Sequence, residues 1–141
     1  MTGSLVLKWE WSEPDFGRLI VSAHHNGFAG RAIGWLDTDY IRSALGPIAA
    51  RQWSADDPWE ISTSCGRADG SSYETIRLVG YPVSKKGQLR VSVELFDDLE
   101  GNKTYLNFPT SYAAAAKFAE QLRQVVQSGN GVAELGAHIL E

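Results

Sequence analysis

The stretch GQLRVSVELFDDLEGNKTYLNFPTSYAAAAKFAEQLRQVV, residues 87–126, decides the fold. Between Leu89 and Leu95 apolar residues alternate with polar ones, a pattern that predicts a strand with one buried face. A polar segment from Asp97 to Lys103 follows, and its glycine and asparagine allow the chain to reverse direction. A second short strand is therefore predicted from Thr104 to Phe108, and the two strands form a hairpin.

The same stretch ends in a helix. Past Pro109 the spacing of apolar residues changes from two to about 3.6, the period of an α-helix, and this spacing continues to about Gln127. Thr110 or Ser111 is suited to cap the first turn, and Ser128 with the glycines that follow ends the helix. A hairpin that feeds an amphipathic helix builds a core and carries no catalytic motif.

Five further strands are predicted from similar patterns. They are Leu5–Trp11, Phe16–Ala23, Phe28–Leu36, Trp59–Thr63 and Tyr73–Tyr81. Asn26-Gly27 is a strong signal for a tight hairpin between the second and third of these strands. Within the third strand, Gly30 and Gly34 predict a bulge or a close approach of neighbouring backbone.

A first helix follows the third strand. Asp37-Thr38-Asp39 is a good helix start, because a short side-chain oxygen can satisfy backbone donors of the first turn. Gly46-Pro47 interrupts the helical pattern, so the helix should end near Leu45, with room for one further turn through Ala50.

The predicted order is βββαββββα, which indicates the α+β class. Short reversals join most strands, so we expect a largely antiparallel sheet of about six to seven strands with two helices packed on one face. No linker divides the chain, and residues 1–141 are expected to form a single domain. Residues 128–141 are expected to form either a short final element or a loosely ordered tail.

The composition disfavours several functional classes. The chain has 17 acidic and 13 basic residues, a net charge of −4, whereas nucleic-acid binders depend on cationic contacts with phosphate. Its single cysteine excludes an intramolecular disulfide and a cysteine-based zinc site. No segment approaches the roughly 20 apolar residues of a membrane helix, and no leader pattern is present. We therefore expect a soluble cytoplasmic protein that binds neither nucleic acid nor membrane and needs no cofactor.

His24, His25 and Cys65 are the candidates for chemistry. Adjacent histidines on a strand point to opposite faces and do not readily share a metal ion, so no metal site is predicted. Cys65 would act as a nucleophile only if the fold brought a histidine base such as His25 to it. An alternative function is therefore a small-ligand-binding or enzymatic domain with a pocket between the sheet and the helices.

Tryptophans and acidic loops suggest a recognition surface instead. Trp9, Trp35 and Trp59 are expected to pack in the core or at the sheet edge, whereas Trp11 and Trp53 are the two whose exposure would matter. Candidate contact residues for a protein partner share a place in predicted loops and charge or aromatic character. They are Trp53, Asp56, Asp57, Asp97, Asp98 and Glu100.

A resemblance to a known family points the same way. The segments that carry it are Asn26-Gly27-Phe28-Ala29-Gly30 with Trp35-Leu36, the helix from Thr38 to Ile48, Leu89 to Leu95, the strand Tyr105-Leu106-Asn107-Phe108, and Phe118-Ala119-Glu120-Gln121-Leu122. Together they resemble the WapI-type bacterial immunity proteins and related bacterial domains. The resemblance implies a non-enzymatic protein that neutralises a toxin domain delivered by, or encoded beside, its own gene, and it implies no catalytic residue. For such a protein we expect an acidic surface that occupies the substrate cleft of a basic toxin. A homodimer formed through an exposed sheet edge or face is a further alternative.

Overall fold

The computed structural model describes residues 4–13, 15–83, 88–97 and 100–137 of the chain. These residues form one sheet of eight strands and two helices, which confirms the α+β class with one strand more than expected. The elements are β1 (Ser4–Glu13), β2 (Phe16–His25), β3 (Phe28–Asp37), α1 (Thr38–Ala49), β4 (Trp59–Gly66), β5 (Ser72–Pro82), β6 (Leu89–Asp97), β7 (Asn102–Thr110), α2 (Tyr112–Ser128) and β8 (Asn130–Gly136).

All strand pairs in the sheet are antiparallel, in the order β7-β6-β5-β4-β3-β2-β1-β8. Neighbours in the sheet are consecutive in the chain except for β8, which returns after α2 to pair with β1. Of the two alternatives for the C-terminal segment, the structure therefore has the short final element over Asn130–Gly136. The end of the expected tail, residues 138–141, lies outside the described residues.

The helix ends illustrate two kinds of cap. In α2, Ser111 accepts a hydrogen bond from the backbone N–H of Ala114 at 3.1 Å, as predicted, and Gly129 ends the helix with φ of 88°. In α1, Asp37 occupies the N-cap but its side chain makes no capping bond. The backbone N–H of Thr38 donates instead to the carbonyl oxygen of Asp15 at 2.9 Å, so a loop in front of β2 satisfies this end.

Helix α1 runs unbroken to Ala49 and passes through Pro47. The predicted end near Leu45 is therefore too early, and the further turn is part of the same helix. Pro47 lies in the last turn, where its missing N–H removes a single hydrogen bond from the helix.

The sheet bends sharply between β3 and β4. Only Trp35 and Ser64 pair across these two strands, which divide the sheet into one half of β8, β1, β2 and β3 and another half of β4 to β7. Strand β3 packs across β5, β6 and β7 of the second half. Gly30 lies against the side chain of Thr104, and Gly34 lies against that of Thr63, in both cases too close for a Cβ atom. The close contacts at both glycines are thus made by threonine side chains and not by neighbouring backbone, and the pairing of β3 with β2 shows no bulge.

The inner faces of the two halves and the apolar faces of both helices share one core. Trp9 of β1, Phe108 of β7 and Phe118 of α2 are all completely buried in it. The far ends of the sheet also meet, because the hydroxyl of Thr110 donates to the carbonyl oxygen of Gly136 at 3.1 Å. Neither α1 nor α2 has the length and apolar character needed to cross a membrane, and no other helix occurs in the described residues.

Candidate functional site

Trp53 is part of the core, which corrects its assignment as a surface contact. Its side chain is only 4% exposed, and its indole N–H donates to the carbonyl oxygen of Ile48 at 3.1 Å. Its backbone N–H donates to the hydroxyl of Tyr112 at 3.0 Å. The indole also meets the rings of Trp59 and Tyr112 edge to face, with centroids 5.4 and 6.0 Å apart. The loop is therefore anchored through its tryptophan to both helices.

The acidic candidates do not form a single surface. Asp56 and Asp57 are exposed in the loop that leads into β4, beside Trp59. Across the sheet, Trp59 pairs with Gly80 of β5, and Gly80 pairs with residue 91 of β6. Asp97 lies six residues farther along β6, which is about 20 Å at a strand rise of about 3.3 Å per residue. Glu100 is exposed at that distant hairpin, and Asp98 lies outside the described residues.

The histidines and the cysteine are also separated, so the alternative site is not assembled by the fold. His25 pairs with Phe28 at one end of β3, whereas Cys65 follows the residue that pairs with Trp35. Trp35 is seven residues beyond Phe28, which is about 23 Å along the strand. His25 packs on the ring of Phe108 with centroids 6.2 Å apart, and His24 occupies the alternate position of β2. Within the described ranges, no three His, Cys, Asp or Glu residues are arranged to hold a metal ion.

Trp35 is the exposed tryptophan that the sequence assigned to the core or the sheet edge, and this expectation is wrong. Its side chain is 44% exposed, because β3 turns Leu36 and Gly34 inward and Trp35 outward. The ring of Phe16, on the adjacent strand β2, stacks on the indole with centroids 6.0 Å apart and an angle of 13° between the planes. Trp35 is thus exposed and stacked on Phe16.

Tyr40 provides a second ordered aromatic side chain beside this pair. It lies in the first turn of α1 and is 38% exposed. Its hydroxyl accepts a hydrogen bond from the backbone N–H of Ser62 at 3.0 Å. That N–H belongs to β4 just where β3 has left the sheet, so the tyrosine replaces the missing strand partner. The bond fixes the ring against the edge of β4.

These side chains form a groove at the point where the two halves of the sheet diverge. It has a volume of about 330 Å³ and is open to solvent along its length. We call it the aromatic groove; its lining residues are Phe16, Trp35, Leu36, Asp37, Tyr40, Ser62, Thr63 and Ser64. Four separate elements contribute, namely β2, β3, α1 and β4. The groove therefore exists only in the folded chain.

The rim of the aromatic groove is acidic. Asp37 lies directly opposite Phe16 in the strand register, and Glu13 and Asp15 precede Phe16 in the chain. All three carboxylates are exposed, and none is paired with a cation among the described residues. Asp39, in the first turn of α1, is paired with Arg42 at 3.1 Å.

The cations beside the groove are held by other acids. Arg18 lies opposite Trp35 on β2 and binds Glu10, which also binds Lys8 at 3.2 Å. The hydrogen bond from Arg18, and then the one from Lys8, lowers the pKa of Glu10 below its ordinary value. Because Arg18 is turned toward Glu10, the unpaired charge at the groove is negative.

A second groove, of about 250 Å³, lies on the other half of the sheet. Its aromatic residues Tyr73 and Phe96 meet edge to face at 5.8 Å, and Arg67 covers the ring of Tyr73 at 4.5 Å. On the same half, Arg77 binds both Glu60 and Glu94, at 2.9 and 3.7 Å. The ring of Tyr73 is thus already covered by a guanidinium, which makes this surface a poorer site for an external partner.

Trp11 is 38% exposed, but it has a structural contact. Its ring lies against Gly129, the residue that ends α2, and its backbone N–H donates to the carbonyl oxygen of Gly129 at 2.9 Å. A glycine is needed there both for the positive φ and for the space that the indole fills. Trp11 therefore joins β1 to the end of α2.

Comparisons of this chain with protein-family models, with curated proteins and with solved structures found no match. The chemistry of the aromatic groove therefore rests on its own side chains: three ordered rings, a row of hydroxyl groups on β4 and a carboxylate at the rim.

Proposed function

We propose that this protein is a non-enzymatic protein-binding domain, and that the aromatic groove is the centre of its binding surface. The observation that carries the proposal is the 44% exposure of an indole that is fixed by stacking on Phe16. Tryptophan and tyrosine dominate the binding energy of protein interfaces because they bury a large area at a low entropic cost. Trp35 and Tyr40 are both ordered before a partner arrives, so less freedom is lost on binding.

The neighbouring apolar surface extends this binding face. Ile33 lies two residues before Trp35 on β3 and is 38% exposed. It pairs across the strands with Ile20, which is 7% exposed and provides an apolar floor. A central apolar patch with a charged rim, here Arg18 and the acidic residues, is the usual anatomy of a protein interface.

An enzymatic role has less support from the geometry. His25 lies beside the Phe28 end of β3 and Cys65 beside the Trp35 end, about 20 Å away along the strand, so the fold does not bring this pair together as nucleophile and base. The aromatic groove contains one carboxylate, that of Asp37, and hydroxyl groups, but no histidine, cysteine or lysine in its lining. Those residues suit recognition better than general acid–base chemistry.

We further propose that the partner is a basic protein encoded beside this chain, as the resemblance to bacterial immunity proteins implies. A cytoplasmic protein that neutralises a cognate toxin would need one tight protein interface and no cofactor. The unpaired carboxylates at the groove and the net charge of −4 support a basic partner.

Co-expression with the product of the adjacent gene tests this function. We expect the two chains to co-purify as a stoichiometric complex, measured by size-exclusion chromatography with light scattering, and the activity of the partner to be inhibited. A chain that stays monomeric beside its neighbour, or that turns over a small substrate, would contradict the proposal.

The same mass measurement distinguishes a homodimer. Pairing through β8 is disfavoured because Gln121 of α2 accepts a hydrogen bond from the N–H of Glu134 at 2.9 Å, which occupies that edge. A dimer mass for the isolated chain, reduced to a monomer by Trp35→Ala, would make the groove a self-association surface instead.

A further inference from the structure

We propose that the aromatic groove binds the guanidinium group of an arginine, carried by a basic segment of the partner protein. This inference rests on the proposed function and specifies the chemistry that the groove recognises. It follows from three features of the groove, namely an exposed indole, a carboxylate beside it, and the pairing of the neighbouring cations Arg18 and Arg42 with acids of the chain.

The first feature is the indole of Trp35. Phe16 stacks on this ring at 6.0 Å, and 44% of Trp35 remains exposed to a ligand. A cation placed over an aromatic ring is attracted by its quadrupole, and tryptophan is the most effective of the aromatic side chains. Tyr40 is held in the same groove by its bond to Ser62, so the cation has a second ring within the site.

The second feature is Asp37. It lies two residues beyond Trp35 on β3, and alternation along a strand places the two side chains on the same outward face. A guanidinium is planar, so it can stack on an indole and at the same time donate hydrogen bonds to a carboxylate in the plane of the group. A lysine ammonium is a compact, strongly hydrated charge and cannot make both interactions as well.

The third feature is the state of the nearby cations. Arg18, across the strands from Trp35, is bound to Glu10, and Arg42 is bound to Asp39. Among the described residues, the single cation stacked on an aromatic ring is Arg67, over Tyr73 in the other half of the sheet. No cation of the described residues is therefore stacked on Trp35, and an arginine from outside can take that position. Glu13 and Asp15 add negative charge at the rim, which attracts a basic segment and repels phosphate or nucleic acid.

The test uses the full chain and short blocked peptides that differ only at the central residue, which is arginine, citrulline or lysine. Citrulline keeps the shape of arginine and removes its charge. Binding is followed by the indole N–H resonance of Trp35 in heteronuclear NMR, assigned with Trp35→Phe. We expect the arginine peptide to bind about tenfold more tightly than the citrulline peptide, from one stacked and paired cation. The lysine peptide should lie between them.

Two matched variants locate the effect. Asp37→Asn removes the carboxylate at a position that makes no helix-capping bond, and it should reduce the preference for arginine over citrulline to about threefold. Asp57→Asn changes a carboxylate in the distant loop and should leave the tenfold preference unchanged.

Equal affinities for the arginine and citrulline peptides, or binding that leaves the Trp35 resonance unmoved, would overturn the inference. If Trp35→Ala also abolished binding of the partner, the proposed function would stand and only the arginine chemistry would fall. If the peptides show a clear preference for arginine but the partner protein binds the Trp35→Ala variant with unchanged affinity, the groove chemistry would hold and the proposed function would fail.

Discussion

Trp35 of β3 pairs with Ser64 of β4, and in the described sheet this is the only residue pair between these two strands. Beyond it the strands separate, since β3 continues into α1 on one side and crosses the second half of the sheet on the other. The backbone N–H of Ser62 then bonds to Tyr40 instead of to a strand. The bend that makes the core continuous thus also opens the aromatic groove.

Because β3 packs closely on its neighbours, alanine substitutions at two glycines should change the free energy of unfolding very differently. Gly34→Ala should lower the free energy of unfolding by about 2–3 kcal/mol, because the added methyl group would collide with Thr63, whose hydroxyl is hydrogen-bonded to Thr75 at 2.6 Å. Gly46→Ala in α1 is the control, since its added methyl group meets no atom within 4 Å, and it should stabilise by about 0.5–1 kcal/mol. Urea unfolding measures both, and equal effects would mean that the halves do not pack as described.

Trp53 is buried and Trp35 is exposed, the reverse of what the sequence predicted, and this difference gives a second prediction. Trp53→Ala should cost about 3–5 kcal/mol of unfolding free energy, because it empties a core position and leaves the carbonyl oxygen of Ile48 without its partner. Trp35→Ala should cost less than about 1 kcal/mol, because the side chain is 44% exposed. Thermal and urea unfolding would contradict the burial pattern if Trp35→Ala proved the more destabilising.

Tyr40→Phe tests how the wall of the groove is held. Removal of the hydroxyl takes away the acceptor of the Ser62 N–H, which should cost about 0.5–1.5 kcal/mol and open that amide to solvent. Hydrogen exchange should then be faster at Ser62 than in the unchanged protein. Exchange at Ala114, which is protected by the Ser111 cap, is the internal reference and should not change. Unchanged protection at Ser62 would show that the tyrosine bond is not its protector.

The ion pair beside Trp35 predicts a pH dependence. Arg18 and Lys8 lower the pKa of Glu10 below its ordinary value of 4.5, so the native state favours the charged carboxylate. The stability contributed by this carboxylate is present above about pH 4.5 and is lost as the pH falls through the lowered pKa. In an NMR titration, Arg18→Gln should raise the pKa of Glu10 toward its ordinary value. A pKa that does not move would exclude Arg18 as the main cause.

Much of the fold could be predicted from periodicity and turn residues. The Asn26-Gly27 turn, the Ser111 cap and the period of α2 are local features, and the structure confirms them. Strand β8 was harder to predict because NGVAELG has two glycines and a weak pattern. This segment forms a strand because it pairs with β1, which is more than 100 residues earlier in the chain.

The site could not be predicted, for physical reasons that concern Trp35 and Trp53. In β3 both faces carry apolar residues, so alternation does not reveal whether Trp35 or Leu36 points inward. Trp53 lies in a loop of polar residues, and its indole is buried by contacts with Trp59 and with Tyr112, which is 59 residues away, so local patterning does not reveal the burial. An available signal was that Trp35 alternates along β3 with Arg31 and Ile33, so these residues share one face, which carries charge.

The affinity of the Trp35→Ala variant for the co-purified partner protein tests the central claim most directly. Tyr105→Ala is the matched control, because Tyr105 is 55% exposed on β7, outside the groove. By isothermal titration calorimetry we expect Trp35→Ala to weaken binding by about 30-fold or more, because it removes an aromatic side chain from the centre of the interface. Tyr105→Ala should change the affinity by less than about threefold. Unchanged affinity for Trp35→Ala, or a larger loss for Tyr105→Ala, would contradict the assignment of the aromatic groove as the binding surface.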